Sequence, residues 1–249
     1  MPAMQSRWIE APDGTRLHVG VTGSGPDVVV LSGGPGCVHY LEDDDIAPAG
    51  FRAWYPEPRG VGRSGGGGHT MDQAVADLEA VRQAVGVPSW IALGHSWGSD
   101  LAVFYALRRP ESVTAVVGIA GTGIHKDRTW YEEYTARKDS EPEIPIAWVP
   151  QVHAALRASY LEWIHHPQVF RDVAVSVVPM RFIAAALDIR PSWPLEQLAE
   201  LAPHGTFVRV PDVPHDFWAT HPSIWVGVIT DACADLTRGE TRHGLVAEG

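Results

Sequence analysis

Gly94-His95-Ser96-Trp97-Gly98 sets a serine two residues from a glycine on either side. When such a serine lies between a strand and a helix it occupies a sharp, strained turn. Glycines at those two positions remove side chains that would collide with neighbouring backbone, as the general G-x-S-x-G pattern requires. The hydroxyl then stands above the sheet, at the positive end of the following helix. Here the context is present: residues 90–93 are an apolar strand-like run, and a helical pattern follows to about residue 108. A serine hydroxyl is a poor nucleophile until a base removes its proton. A base and a group to orient it are therefore needed, and in chains built on this elbow pattern they follow the serine in the order acid, then histidine.

The chain has 12 histidines. His215 lies in Val213-Pro214-His215-Asp216, a loop after one strand and before a helix, which suits a base reaching back to Ser96. His165 and His166 fall in an irregular region, His204 precedes a strand, His221 opens a helix, His243 lies in the tail, and His95 beside the serine is expected to turn away. The acid should follow the strand at 181–187, and Asp188 is the first residue beyond it. Its task is to accept the imidazole N–H and stabilise the imidazolium; Asp212 is the alternative. Acyl transfer also needs donors aimed at the developing oxyanion. The amide of Trp97 is one candidate, and the amide of Gly34, in Gly33-Gly34-Pro35-Gly36, is the other.

The elements that must position these groups alternate along the chain. Residues 15–22, 28–31, 51–55, 90–93, 112–119, 181–187 and 206–210 read as strands. Helical patterns occupy about 70–85, 97–108, 195–201 and 223–236, the first opened by a capping box at Thr70-Met71-Asp72-Gln73. Apolar strands alternating with helices imply an α/β fold with a mostly parallel central sheet flanked by helices. Residues 121–179 break the rhythm and are rich in Trp, Tyr, Glu and Pro. They read as a helical cap inserted into a core of residues 1–120 and 180–249, with a polar tail from Arg238. Cap aromatics Trp130, Tyr131, Trp148, Tyr160 and Trp163 are candidates for an apolar pocket.

Thirty acidic against 19 basic residues give a net charge of −11, which repels phosphate backbones and argues against a nucleic-acid partner. No apolar run is long enough to span a membrane, and the N-terminal residues carry no signal-peptide pattern. Two cysteines, Cys37 and Cys233, make a disulfide framework or metal cluster unexpected, with Cys37 expected to be a packing residue. The expectation is a cytoplasmic protein without metal or cofactor that acts on a small molecule. Oligomeric state is left open.

Taken together, the motifs resemble the proline iminopeptidase-like branch of the α/β-hydrolase superfamily. Leu31-Ser32-Gly33-Gly34-Pro35-Gly36 is similar to its H-G-G-P-G segment, with Ser32 in place of the histidine. Arg59-Gly60-Val61-Gly62-Arg63-Ser64, the elbow at Ser96, and Asp188-Ile189-Arg190-Pro191 match its other segments in order. The resemblance implies an α/β-hydrolase fold with a short helical cap and a Ser-Asp-His triad. It also implies cap carboxylates that would hold a substrate amine, for which Glu132, Glu133 and Glu162 are available. Three functions follow as expectations. The first is hydrolysis of a small ester, amide or thioester through an acyl-enzyme. The second is a proline iminopeptidase-type aminopeptidase. The third is a hydrolase-fold protein that performs a non-hydrolytic step or binds a ligand.

Overall fold

Val28 and Val30 belong to the apolar cluster on one face of the sheet, and Val29 and Leu31 to the cluster on the other. All four are buried, as a strand covered on both sides requires. A computed structural model describes residues 3–142 and 144–239. Among the described residues, eight strands form one sheet: β1 (Gln5–Glu10), β2 (Arg16–Gly23), β3 (Asp27–Leu31), β4 (Arg52–Pro56), β5 (Trp90–His95), β6 (Val113–Ile119), β7 (Met180–Ala185) and β8 (Gly205–Val210). Their order is β1-β2-β4-β3-β5-β6-β7-β8. The first two pairings, β1 with β2 and β2 with β4, are antiparallel, and every later pairing is parallel. The fold is an α/β-hydrolase fold.

Helices α1 (Met71–Ala84), α2 (Trp97–Arg108), α3 (Arg128–Arg137), α4 (Pro150–Ile164), α5 (Val169–Ala174), α6 (Trp193–Leu201), α7 (Phe217–Thr220) and α8 (Pro222–Arg238) complete the described chain. Met71, Val75, Leu78 and Val81 make the buried stripe of α1 against one sheet face. Trp225, Ile229, Ala232 and Cys233 make that of α8 against the other. The segment between β6 and β7 carries α3, α4 and α5. Val152, Leu156, Tyr160 and Ile164, each four residues apart, bury one face of α4 in the same core as α1 and α2.

The structure departs from the sequence reading at several points. Strand β1 was not expected: it is an edge strand whose side chains are almost all exposed, so no apolar alternation marks it. Strand β7 ends at Ala185 rather than 187, because Leu187 leaves the ladder and its amide donates to the Val213 carbonyl. Asp188 is thus the third residue past the strand. Thr70 caps α1 by accepting from the Gln73 amide, but the Gln73 side chain donates to Asp77 instead of closing the box. The short α7 was also unforeseen. Helix α8 runs to Arg238, and the expected tail beyond Gly239, with His243, lies outside the described residues.

Arg59 ties the turn after β4 to the body. Its side chain is buried and donates to Asp77 at 2.5 and 2.8 Å, to Asp13 at 2.7 Å and to Thr15 at 2.6 Å. Removing the guanidinium strands the Asp77 carboxylate, which retains the Gln73 amide. Arg59→Ala is expected to lower stability by about 3 kcal/mol, as when one partner of a buried pair is deleted. Urea unfolding measures this; a change below about 0.5 kcal/mol would show the network to be solvent-compensated.

Candidate active site

The sheet order has a switch point between β3 and β5. The chain leaves β3 toward β4 on one side and returns to β5 on the other. Ligands in open α/β sheets bind beyond the carboxyl ends of strands at such a crevice. Gly34 follows β3, Ser96 follows β5, Asp188 follows β7 and His215 follows β8, so all four groups gather at one edge.

Ser96 has φ of +55° and ψ of −127°, a conformation L residues rarely adopt. Such strain persists only where packing over-determines it. Gly33 packs directly against it: a Cβ on Gly33 would come within 2.5 Å of Ser96 Cβ. The Ser96 hydroxyl makes no hydrogen bond among the described residues, to His215 or to any other, while the Ser96 amide donates to the Ile119 carbonyl at 2.8 Å.

His215 is buried, and its Nδ1–H donates to Asp188 Oδ2 at 2.5 Å. The other carboxylate oxygen accepts from the Arg190 amide at 2.9 Å and from Arg190 Nη1 at 3.1 Å. Although burial opposes it, the facing His215 and the Arg190 contacts hold the Asp188 carboxyl down at about 2. It is therefore ionised throughout the neutral range, and Nε2 is the imidazole nitrogen left for chemistry. Asp212, the alternative acid, lies in the turn after β8 at φ of +57°. Arg190 also binds Glu141 from the segment between β6 and β7, at 2.5 and 3.0 Å. Glu141, Asp188 and His215 bring ligand atoms within 4.8 Å of one another. Arg190 engages both carboxylates, so this trio is a charge network rather than a ready cation cradle.

The two candidate oxyanion donors are placed alike. Neither the Gly34 nor the Trp97 amide donates to another group among the described residues, and both residues line the cavity that Ser96 opens into. The neighbouring Gly33 amide is unavailable, because it donates to Tyr40 Oη at 2.7 Å. That hydroxyl donates onward to His95 Nδ1 at 2.7 Å, and His95 Nε2–H donates to the His215 carbonyl at 3.0 Å. The chain of bonds joins the loop after β3, the Ser96 elbow and the loop after β8. His95 does turn away from the cavity, but it carries this link, and neither its role nor that of Tyr40 had a sequence signal. Arg190 follows Asp188 within Asp188-Ile189-Arg190-Pro191, but nothing in the sequence marks it or Glu141 for this network.

Burial, with the charge of His215, pushes the His95 imidazole down to about 3. The unfolded chain binds that proton near pH 6.5 and the folded chain does not. Stability therefore falls as pH drops from 6.5 toward 3, by up to about 1.4 kcal/mol per pH unit from this group. His18 and His39, also held low by burial, act in the same direction. Asp100, pushed up to about 6 by burial, opposes them between about pH 6 and 4, since the folded state takes its proton first. Three histidines outweigh one carboxyl, so urea midpoints should fall between pH 7.5 and 5.5; constant or rising midpoints would contradict the assignment.

The cavity beside Ser96 has a volume of about 500 Å³. Helix α3 contributes Trp130, Tyr131 and Tyr134, and α4 contributes His153, Arg157, Tyr160 and Leu161. Of the five aromatic residues expected to line a pocket, Trp130, Tyr131 and Tyr160 do so. Trp148 is half exposed and bridges to Cys37, while Trp163 packs edge-on against Phe104. Cys37 sits under Gly34, its thiol pushed up by burial. Glu132 and Glu133 pair with Arg128 and Arg137 on α3, and Glu162 faces a separate cleft with Phe104 and Trp163. None of the three reaches the Ser96 cavity.

Residues 26–166 match the family described as alpha/beta hydrolase fold, and the chain belongs to that family. It is 33% identical over 147 residues to a proline iminopeptidase of Xylella fastidiosa, covering 55% of this chain and 45% of that protein. It is 34% identical over 116 residues to an epoxide hydrolase of Caballeronia sordidicola, covering 44% and 35%. The chain thus matches about half or less of the length of these relatives. A crystal structure of proline iminopeptidase from Mycobacterium smegmatis superposes with a TM-score of 0.71 at 18% identity, covering 94% of this chain and 99% of that one. Among the described residues no helix is long and apolar enough to cross a membrane.

Proposed function

We propose that the chain is a serine hydrolase that cleaves a small-molecule ester, thioester or amide through an acyl-enzyme. The observation that carries this reading is the His215–Asp188 hydrogen bond of 2.5 Å, at the same end of the sheet as a serine held at φ of +55° on a cavity. Ser96 Oγ attacks the acyl carbon while its proton passes to His215 Nε2. Asp188 holds the Nδ1–H and stabilises the imidazolium. The amides of Gly34 and Trp97 receive the oxyanion. His215 then protonates the leaving group, and a water activated by the same nitrogen releases the acid. Serine and imidazole come into hydrogen-bond distance as substrate binds, since such contacts tighten in the productive complex. Residues 121–179 serve as the cap, with α3 and α4 forming the cavity wall.

The likeness to proline iminopeptidases favours amide cleavage after an N-terminal proline as a second reading. None of the described residues lining the cavity is a carboxylate that could hold a substrate amine, which favours the first. A fluorophosphonate probe should label Ser96, and Asp188→Asn should slow esterase turnover by about 10³–10⁴-fold by misorienting the imidazole. A folded wild-type protein that takes up no probe would defeat the proposal.

A further inference from the structure

The wall around Ser96 carries a charge opposite to that of the protein. Lys126, Lys138, Arg157 and Arg190 line the cavity, and none of the described residues lining it is Asp or Glu. The whole chain has 30 acidic and 19 basic residues. Four cations facing one cavity in an acidic protein repel one another, and low-dielectric walls concentrate their field.

They come from separate parts of the chain. Lys126 precedes α3, Lys138 follows it, Arg157 lies on α4 four residues from His153, and Arg190 follows β7. Arg190 is engaged by Glu141 and Asp188. Lys126, Lys138 and Arg157 form no salt bridge among the described residues, and the nearby acids of α3 are paired along their own helix. Lys126 Nζ lies 4.7 Å from the Tyr160 ring centroid and 5.1 Å from that of Trp130, a cage that fixes the ammonium at the cavity. Asp100 faces it from below, but that carboxylate already accepts from the Thr122 amide and hydroxyl and the Gly123 amide. Burial, reinforced by Arg157 and Arg190 against the pull of Asp100, pushes Lys126 down to about 8. Trp130, itself buried, lines the same cavity with its Nε1–H lacking a partner.

We infer that the substrate of this site carries an anionic group, a carboxylate or phosphate, received by Lys126, Arg157 and Lys138. The inference rests on the serine-hydrolase reading and names its substrate class. A substrate with a free amine would meet four cations and no Asp or Glu among the described residues that line the cavity.

Two matched pairs of esters test it. Mono-4-nitrophenyl adipate and 4-nitrophenyl hexanoate differ in a terminal carboxylate on the acyl chain. The pair 4-acetoxybenzoate and 4-tolyl acetate differs by the same change on the leaving group. With each rate normalised to hydroxide hydrolysis, kcat/KM in at least one pair should favour the anion by about tenfold or more. The pair that responds tells which side of the scissile bond meets the cations. Lys126→Met/Arg157→Met should bring that ratio to within about twofold of one. Arg157→Met alone, at an exposed position, should lower it if the double variant fails to fold.

A wild-type ratio at or below one in both pairs would overturn the inference. So would an unchanged ratio in a variant that still takes up fluorophosphonate, or faster cleavage of prolyl-4-nitroanilide than of either anionic ester. Should the wild type neither label nor hydrolyse any ester, the hydrolase reading fails and calorimetry decides the anion site separately. Binding of adipate or inorganic phosphate that is lost in Arg157→Met supports the site and distinguishes the two anions. Binding of neither overturns it.

Discussion

Ser96→Ala is expected to lower esterase kcat/KM by about 10⁴-fold or more while leaving the urea midpoint unchanged. The size of the loss follows from the behaviour of catalytic units, in which removing the nucleophile costs nearly as much as removing the whole triad. The unchanged stability follows from this structure. Ser96 Oγ makes no hydrogen bond among the described residues, so its removal leaves no partner unsatisfied. Alanine at φ of +55° carries the same backbone strain as serine. The Gly34 and Trp97 amides, proposed to receive the oxyanion, stay in place, so a residual rate above that of water should persist. Stopped assays with 4-nitrophenyl esters and urea titrations measure both halves. Retention of more than about a tenth of the wild-type rate would mean that some other group attacks the ester.

Gly98→Ala is expected to destabilise the fold by more than about 4 kcal/mol, a range reached only by severe packing faults. An added Cβ would lie 2.2 Å from the Leu31 carbonyl oxygen and 2.7 Å from that of Ser32. Gly94 faces the same limit from the other side, with a Cβ 2.0 Å from the Gly98 carbonyl oxygen. These obstacles are backbone atoms of β3 and of the elbow, which cannot rotate aside. The first turn of α2 would have to move off the sheet, carrying the Trp97 amide with it, so ester turnover should fall as well. Gly227→Ala is the control: it lies exposed in α8, a Cβ there meets nothing within 4 Å, and alanine should stabilise by about 0.5–1 kcal/mol. Equal effects at the two positions would refute the packing argument.

The Ser96 elbow and the alternation of strands and helices were legible because each depends on short-range geometry. Glycines at 94 and 98 answer to contacts within a single turn and with one adjacent strand. Helix α1 announces itself through Ala74, Val75, Leu78, Val81 and Val85, which repeat at the period of its own backbone, and Val75, Leu78 and Val81 of these are buried. Strand β1 was missed because an edge strand with exposed side chains lacks such a period. Trp148 and Trp163 were misjudged for a related reason: aromatic content marks a segment as apolar but does not say which side of it meets the cavity.

The amino-acid order by itself determined that a serine would be held in a strained turn between strand and helix, and which later residues had the types to serve it. Only the tertiary structure decided that Tyr40, His95 and the His215 carbonyl form one hydrogen-bonded line, and that Arg190 joins Asp188 to Glu141. It also decided that four cations meet around Ser96. The physical reason is distance along the chain. A period or a turn is set by neighbours a few residues apart, whereas residues 40, 95, 126, 157, 190 and 215 become neighbours only through the strand order and the seating of α4 on the core.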